Sequence, residues 1–128
     1  MLVVDDDGLV LMNTAAMLDD LGHHVIEATS GEQALRALRQ GRRVDLVITD
    51  QLMPGMTGTQ LIAAIRSEWP PVPVILATGY TELPAGTAQD VPRLSKPFRQ
   101  DDLARAVAAS VEPVDGHGRV VPFRPKSG

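Results

Sequence analysis

Short apolar runs alternate with amphipathic stretches along the first 112 residues of this chain, and that alternation constrains the fold more than any other feature. Leu2-Val3-Val4 reads as a buried strand that ends in acid. Val10, Thr14, Met17, Leu18 and Leu21 fall on one helical face, and Gly22 stops that helix. Val25-Ile26 opens a second strand. Ser30-Gly31-Glu32-Gln33 has the capping-box pattern and opens a helix with Leu35 and Leu38 inward, ended by Gly41. Leu46-Val47-Ile48-Thr49 is the continuous apolar run expected of a strand covered on both faces. Thr57-Gly58-Thr59-Gln60 is a second capping box and leads to Leu61, Ile62 and Ile65. Val72 to Ala77 forms a fourth strand behind Pro70-Pro71, and Arg93-Leu94-Ser95 a short fifth. Leu103, Val107 and Val111 repeat at i, i+4, i+8 on a last helix. The stretch from Thr81 to Asp90 should hold the remaining helix, short or irregular because Pro84 and Gly86 interrupt it.

The pattern amounts to five βα units, which argues a doubly wound α/β fold with a parallel sheet and helices on both faces. A chain of 128 residues, 44% of them hydrophobic, is long enough for one such core and leaves no second domain to find. Residues 113–128 hold three prolines, three glycines and a basic excess, and read as a tail outside the fold. The absence of cysteine rules out disulfides, thiolate metal sites and cysteine nucleophiles, and fits a cytoplasmic location. No apolar run approaches a membrane span, and no signal peptide opens the chain. The net charge of -4 and 3% aromatic content argue against direct nucleic-acid binding.

In a parallel sheet the functional groups gather at the carboxyl ends of the strands. Asp5, Asp6 and Asp7 follow the first strand, Asp50 the third, Thr78 and Gly79 the fourth, and Lys96 and Pro97 the fifth. Taken singly, each has an ordinary reading. Asp7 reads as only the N-cap of the next helix, Thr78 as a loop hydroxyl and Lys96 as a solvated charge. Taken together they make a coherent set. The carboxylates can hold a hard cation such as Mg²⁺ through oxygen. Asp50 can attack phosphorus, Thr78 can donate to a phosphoryl oxygen, and Lys96 can supply a point charge to the same group.

Val3-Val4-Asp5-Asp6, the run Leu46 to Gly58, Val74 to Gly79 and Lys96-Pro97-Phe98 together resemble the receiver domain of two-component response regulators. The resemblance covers residues 1–112 in order and spacing. It implies a flavodoxin-like (βα)5 fold with strand order 2-1-3-4-5. It further implies that Asp50 takes a phosphoryl group from a phosphohistidine on a histidine kinase or histidine phosphotransfer protein. By position, Asp6 would ligate Mg²⁺ directly, Asp5 through water, and the main-chain carbonyl of Leu52 would join Asp50 as a ligand. Thr78 matches the switch hydroxyl, Gly79 the small residue that admits the phosphoryl group, Lys96 the family's lysine, and Pro97 its usual cis-proline. Arg93 stands where family members often carry an aromatic residue, which leaves the usual switch open. Leu52 stands where some carry a polar residue, so a long-lived phosphoryl group is expected. A weak homodimer is compatible with this reading.

A phosphatase of the haloacid dehalogenase type also uses an aspartate nucleophile, a hydroxyl, a lysine and Mg²⁺. It needs an aspartate two residues after the nucleophile to protonate the leaving group, and Leu52 has no proton to give. A receiver that serves only as an interaction module would normally lack the phosphoacceptor, the acid pair or the lysine, and all are present here. Flavin binding has no supporting glycine or aromatic loop. No DNA-binding or enzymatic output module is expected within this chain, where only the 113–128 tail follows the domain. A stand-alone receiver and the C-terminal receiver of a hybrid sensor kinase both fit, and the start at the first strand suggests a piece of something longer.

Overall fold

The structure is a computed structural model that describes residues 1–79 and 91–111. Strands β1 (Leu2–Val4), β2 (Ile26–Ala28), β3 (Val47–Asp50), β4 (Val74–Thr78) and β5 (Arg93–Ser95) pair in parallel as one sheet, ordered β2-β1-β3-β4-β5. Helices α1 (Gly8–Asp20), α2 (Gly31–Arg39), α3 (Gly58–Glu68) and α4 (Gln100–Val111) cover it. This is the parallel sheet expected from the βα pattern, in the flavodoxin-like strand order that the resemblance implies. The expected helix at residues 81–90, Tyr80 and the tail at 113–128 lie outside the described residues. No described helix is long and apolar enough to cross a membrane.

The two-residue period of the strands sorts their side chains into two layers. Leu2, Val4, Val47, Val74 and Leu76 pack with Leu35 and Leu38 of α2 and with Leu61, Ile62 and Ile65 of α3. Val3, Ile48, Ile75 and Leu94 face the other way, against Leu11 and Leu18 of α1 and Leu103 and Val107 of α4. Every residue of β3 and β4 is buried, as a strand covered on both faces requires. Burial of each large aliphatic side chain contributes about 1.5–3 kcal/mol, and this two-layer core holds the sheet edge in place.

Several boundaries differ from the sequence reading. β2 begins at Ile26 rather than Val25, β3 runs from Val47 and β4 from Val74. Asp50 and Thr78 are therefore the last residues of their strands rather than the first residues after them. The buried stripe of α1 is Leu11, Thr14, Ala15 and Leu18; Val10 and Met17 are half-buried and Leu21 is exposed. Gly22 does end the turn after α1, with a positive φ of 94° that only glycine adopts without strain. At α2, Ser30 caps as expected by accepting from Gln33 N, but the Gln33 side chain accepts from Thr29 N–H instead of completing the box at Ser30. The box at Thr57 and Gln60 is complete in both directions.

Candidate functional site

Register brings the predicted residues to one level. Val4 pairs with Thr49, so Asp5 emerges beside Asp50, and Asp50 pairs with Ala77, one residue before Thr78. Thr78 pairs with Ser95, and Lys96 N–H then donates to the Thr78 carbonyl at 2.8 Å. The strand ends thus deliver two carboxylates, a hydroxyl and an ammonium to the same edge. Asp5, Asp50 and Thr78 are buried there, at 6%, 5% and 6% exposure, while Asp6 is exposed. Lys96 Nζ donates to Asp50 Oδ1 and lies 4.0 Å from Asp5 Oδ2. The Lys96-Pro97 peptide bond is cis, in agreement with the expectation for Pro97.

Asp7 acts as the sequence suggested. Its Oδ1 accepts from Leu9 and Val10 N–H at 3.0 and 3.3 Å and caps α1. Its own N–H donates to Asp5 Oδ1 at 2.9 Å, so the start of α1 also orients the Asp5 carboxylate. Burial pushes the Asp5 carboxyl above its usual pKa. The Asp7 N–H bond opposes that shift, Asp50 adds to it, Lys96 opposes it, and Asp6 adds to it again.

One oxygen from each of Asp5, Asp6 and Asp50 lies within 4.8 Å of the others. A set of three carboxylates at that spacing suits a hard, oxygen-seeking divalent cation, and one lysine offsets only part of its negative charge. The donor set fits Mg²⁺ on its own chemistry. Leu52 lies on the loop after β3 and is 55% exposed, at the rim rather than in the core. Arg93 is exposed on β5, opposite Leu76 of β4.

The sequence reading gave no role to Gln51 or Gly58. Gln51 is 3% exposed, and its side-chain oxygen accepts from Thr59 N–H at 2.9 Å. A Cβ on Gly58 would come within 2.2 Å of the Asp50 carbonyl oxygen, so only glycine lets α3 start this close to the end of β3. The signal for both was the complete capping box at Thr57. It fixes where α3 begins, and hence that its first turn must meet the end of β3.

The model of the response regulator receiver domain family matches residues 1–108. The transcriptional regulatory protein GlrR of Escherichia coli is 39% identical over 116 residues, covering 88% of this chain and 26% of that protein. The sensor kinase CckA of Brucella abortus is 34% identical over 121 residues, covering 89% of this chain and 13% of that kinase. The chain therefore spans about a quarter or less of the length of these curated relatives. The crystal structure of the receiver domain of NtrX from Brucella abortus superposes with a TM-score of 0.78 at 28% identity, covering 87% of this chain and 97% of that one. A parallel sheet in the order 2-1-3-4-5, an acidic edge answered by a lysine and a match over nearly the whole described chain converge on one conclusion: this chain belongs to the receiver domains of two-component response regulators.

Proposed function

We propose that Asp50 is the phosphoacceptor of this receiver and that Asp5 and Asp6, with Asp50 itself and the main-chain carbonyl of Leu52, hold the Mg²⁺ that the reaction uses. The observation that carries this reading is the meeting of the three carboxylates with Lys96 on the Asp50 oxygen. An Asp50 carboxylate oxygen attacks phosphorus, the phosphorus–nitrogen bond of a phosphohistidine breaks, and the imidazole leaves with the bonding electrons. Bound Mg²⁺ would supply charge neutralisation at the phosphoryl oxygens. Lys96 supplies a fixed positive charge at the same edge, and Thr78, one register step along, supplies a hydroxyl donor. Gly79 leaves room beside Thr78 because it carries no side chain.

A histidine kinase or histidine phosphotransfer protein is the donor in this reading. Leu9 and Met12 of α1 are 64% and 56% exposed, and α1 begins at the acidic edge. An apolar patch so placed suits a partner that must present its phosphohistidine to Asp50. The cytoplasm, where such donors work, is the location this reading assigns. Regulators and a sensor kinase both occur among the relatives, so either kind of parent protein fits. The phosphatase reading gains no support, because Leu52 offers no proton to a leaving group.

Incubation with acetyl phosphate and Mg²⁺ should add one phosphoryl mass to the intact protein, and Asp50→Asn should abolish the gain. A gain that survives in Asp50→Asn, or none in the wild type, overturns the assignment.

A further inference from the structure

We infer that Gln51 is a positioning residue that closes the loop carrying Leu52 and thereby sets the geometry of the cation site beside Asp50. The inference rests on the phosphoacceptor reading and extends it to a residue that reading does not use. The first N–H groups of a helix have no partner within the helix and must find one outside it. In α3, two successive groups of this kind go to one residue. Gly58 N–H donates to the Gln51 main-chain oxygen at 3.0 Å, and Thr59 N–H donates to its side-chain oxygen at 2.9 Å. The Gln51 amide nitrogen lies 3.4 Å from Thr59 Oγ1, which is itself 3.2 Å from Thr57 Oγ1. Gln51 thus grips both backbone and side chain at the start of α3, across a loop of residues 52–57.

Gln51 adjoins Asp50 on one side and Leu52 on the other. A carboxamide at 3% exposure has been withdrawn from water, so its bonds to Thr59 are the return for that burial. The main-chain bond from Gly58 does not depend on the side chain at position 51, but the bond from Thr59 N–H needs an acceptor there. Without it the loop is held at one point instead of two. The residues offered to a cation from the loop are then no longer fixed relative to Asp5 and Asp6. Groups that orient metal ligands without touching the metal are commonly worth about 10–100-fold in affinity.

The test uses the full 128-residue chain with Gln51→Met and Gln51→Glu. Methionine keeps the shape and removes both side-chain bonds. Glutamate keeps the acceptor for Thr59 N–H, and its charge suits a helix N-terminus. The readouts are the half-saturating Mg²⁺ concentration by calorimetry and the initial rate of phosphoryl mass gain from acetyl phosphate at saturating Mg²⁺. Gln51→Met should raise the half-saturating concentration about tenfold and slow the mass gain, and Gln51→Glu should restore both to within about twofold of wild type. A purely structural role would lower the melting temperature and leave the Mg²⁺ dependence alone. Wild-type Mg²⁺ dependence in Gln51→Met, or equal impairment in Gln51→Glu, overturns the inference. If circular dichroism shows Gln51→Met unfolded, Thr59→Pro decides. It removes the N–H that the Gln51 side-chain oxygen accepts from, at a first-turn position where proline is tolerated, and an unchanged Mg²⁺ dependence there also overturns the inference. Failure of the phosphoacceptor reading is distinguishable, since it appears in the wild type as no mass gain.

Discussion

Asp5 shows what burial among like charges does to a carboxyl. It is buried, it accepts from Asp7 N–H, and it faces Asp50 and Asp6, with Lys96 opposing their charge. A carboxyl whose pKa is raised on folding binds its proton more tightly in the folded chain than in the unfolded one. Its contribution to stability is therefore complete below the unfolded value and is lost as pH rises through the folded value. Above the unfolded value, without metal, Asp5 therefore works against the fold. Asp5→Asn keeps an oxygen for Asp7 N–H and removes the charge. In the presence of a chelator it should melt above wild type at pH 7, and the advantage should shrink as pH falls into the ordinary carboxylate range. Melting curves over a pH series check this, and an Asp5→Asn protein that melts below wild type at pH 7 would show that burial is not the dominant cost. The charge pattern was legible in the sequence, because three aspartates end an apolar run. Its inward consequence was not, because only packing shows that Asp5 is buried and Asp6 is exposed.

At the scale of elements, the strands were legible because runs such as Val47-Ile48 and Val74-Ile75-Leu76 leave little choice of face. α1 was legible only in part, with Thr14 and Leu18 read in its stripe but Leu11 and Ala15 missed. Its sequence, Gly8 to Asp20, places Leu9, Val10, Leu11 and Met12 in succession, so apolar residues occur on every side and periodicity cannot select a stripe. The cap at Asp7 and the sheet select Leu11, Thr14, Ala15 and Leu18 instead. The junction of β3 with α3 was half legible. The capping box was plain in Thr57 to Gln60, but the contact of Gly58 with Asp50 is tertiary. An added Cβ there would also lie 2.7 Å from Leu76 Cδ1, so two neighbours, one of them backbone, would have to give way. Gly58→Ala should therefore destabilise the domain by at least about 1–3 kcal/mol, the usual cost of overpacking a tight site. Urea unfolding measures it, and a loss below about 0.5 kcal/mol, the size of an ordinary surface change, would mean that α3 slides away from β3 at little cost.

On the scale of the whole molecule, the site exists only because the sheet is assembled. Asp5 and Asp6 leave β1, Asp50 ends β3, and Lys96 follows β5, so the unfolded chain holds no comparable set of donors. Strand order was legible only through the resemblance to receivers. Alternating βα units alone specify a parallel sheet but not which strands are neighbours. Assembly also makes the site a load on the fold, since it gathers three carboxylates at one edge. A divalent cation that binds the folded state alone raises stability by mass action, by about 1.4 kcal/mol at ten times its dissociation constant. For a domain of this size that is a rise of roughly 5 °C in melting temperature. Mg²⁺ at 10 mM, about that excess for a millimolar site, should therefore raise the melting temperature by several degrees, by this relation. Sodium chloride at equal ionic strength should not, because general screening acts on all exposed charges alike. In Asp50→Asn the Mg²⁺ effect should fall sharply, because one of the three carboxylates is gone. An equal rise with sodium chloride, or an undiminished rise in Asp50→Asn, would place the bound cation somewhere other than this edge.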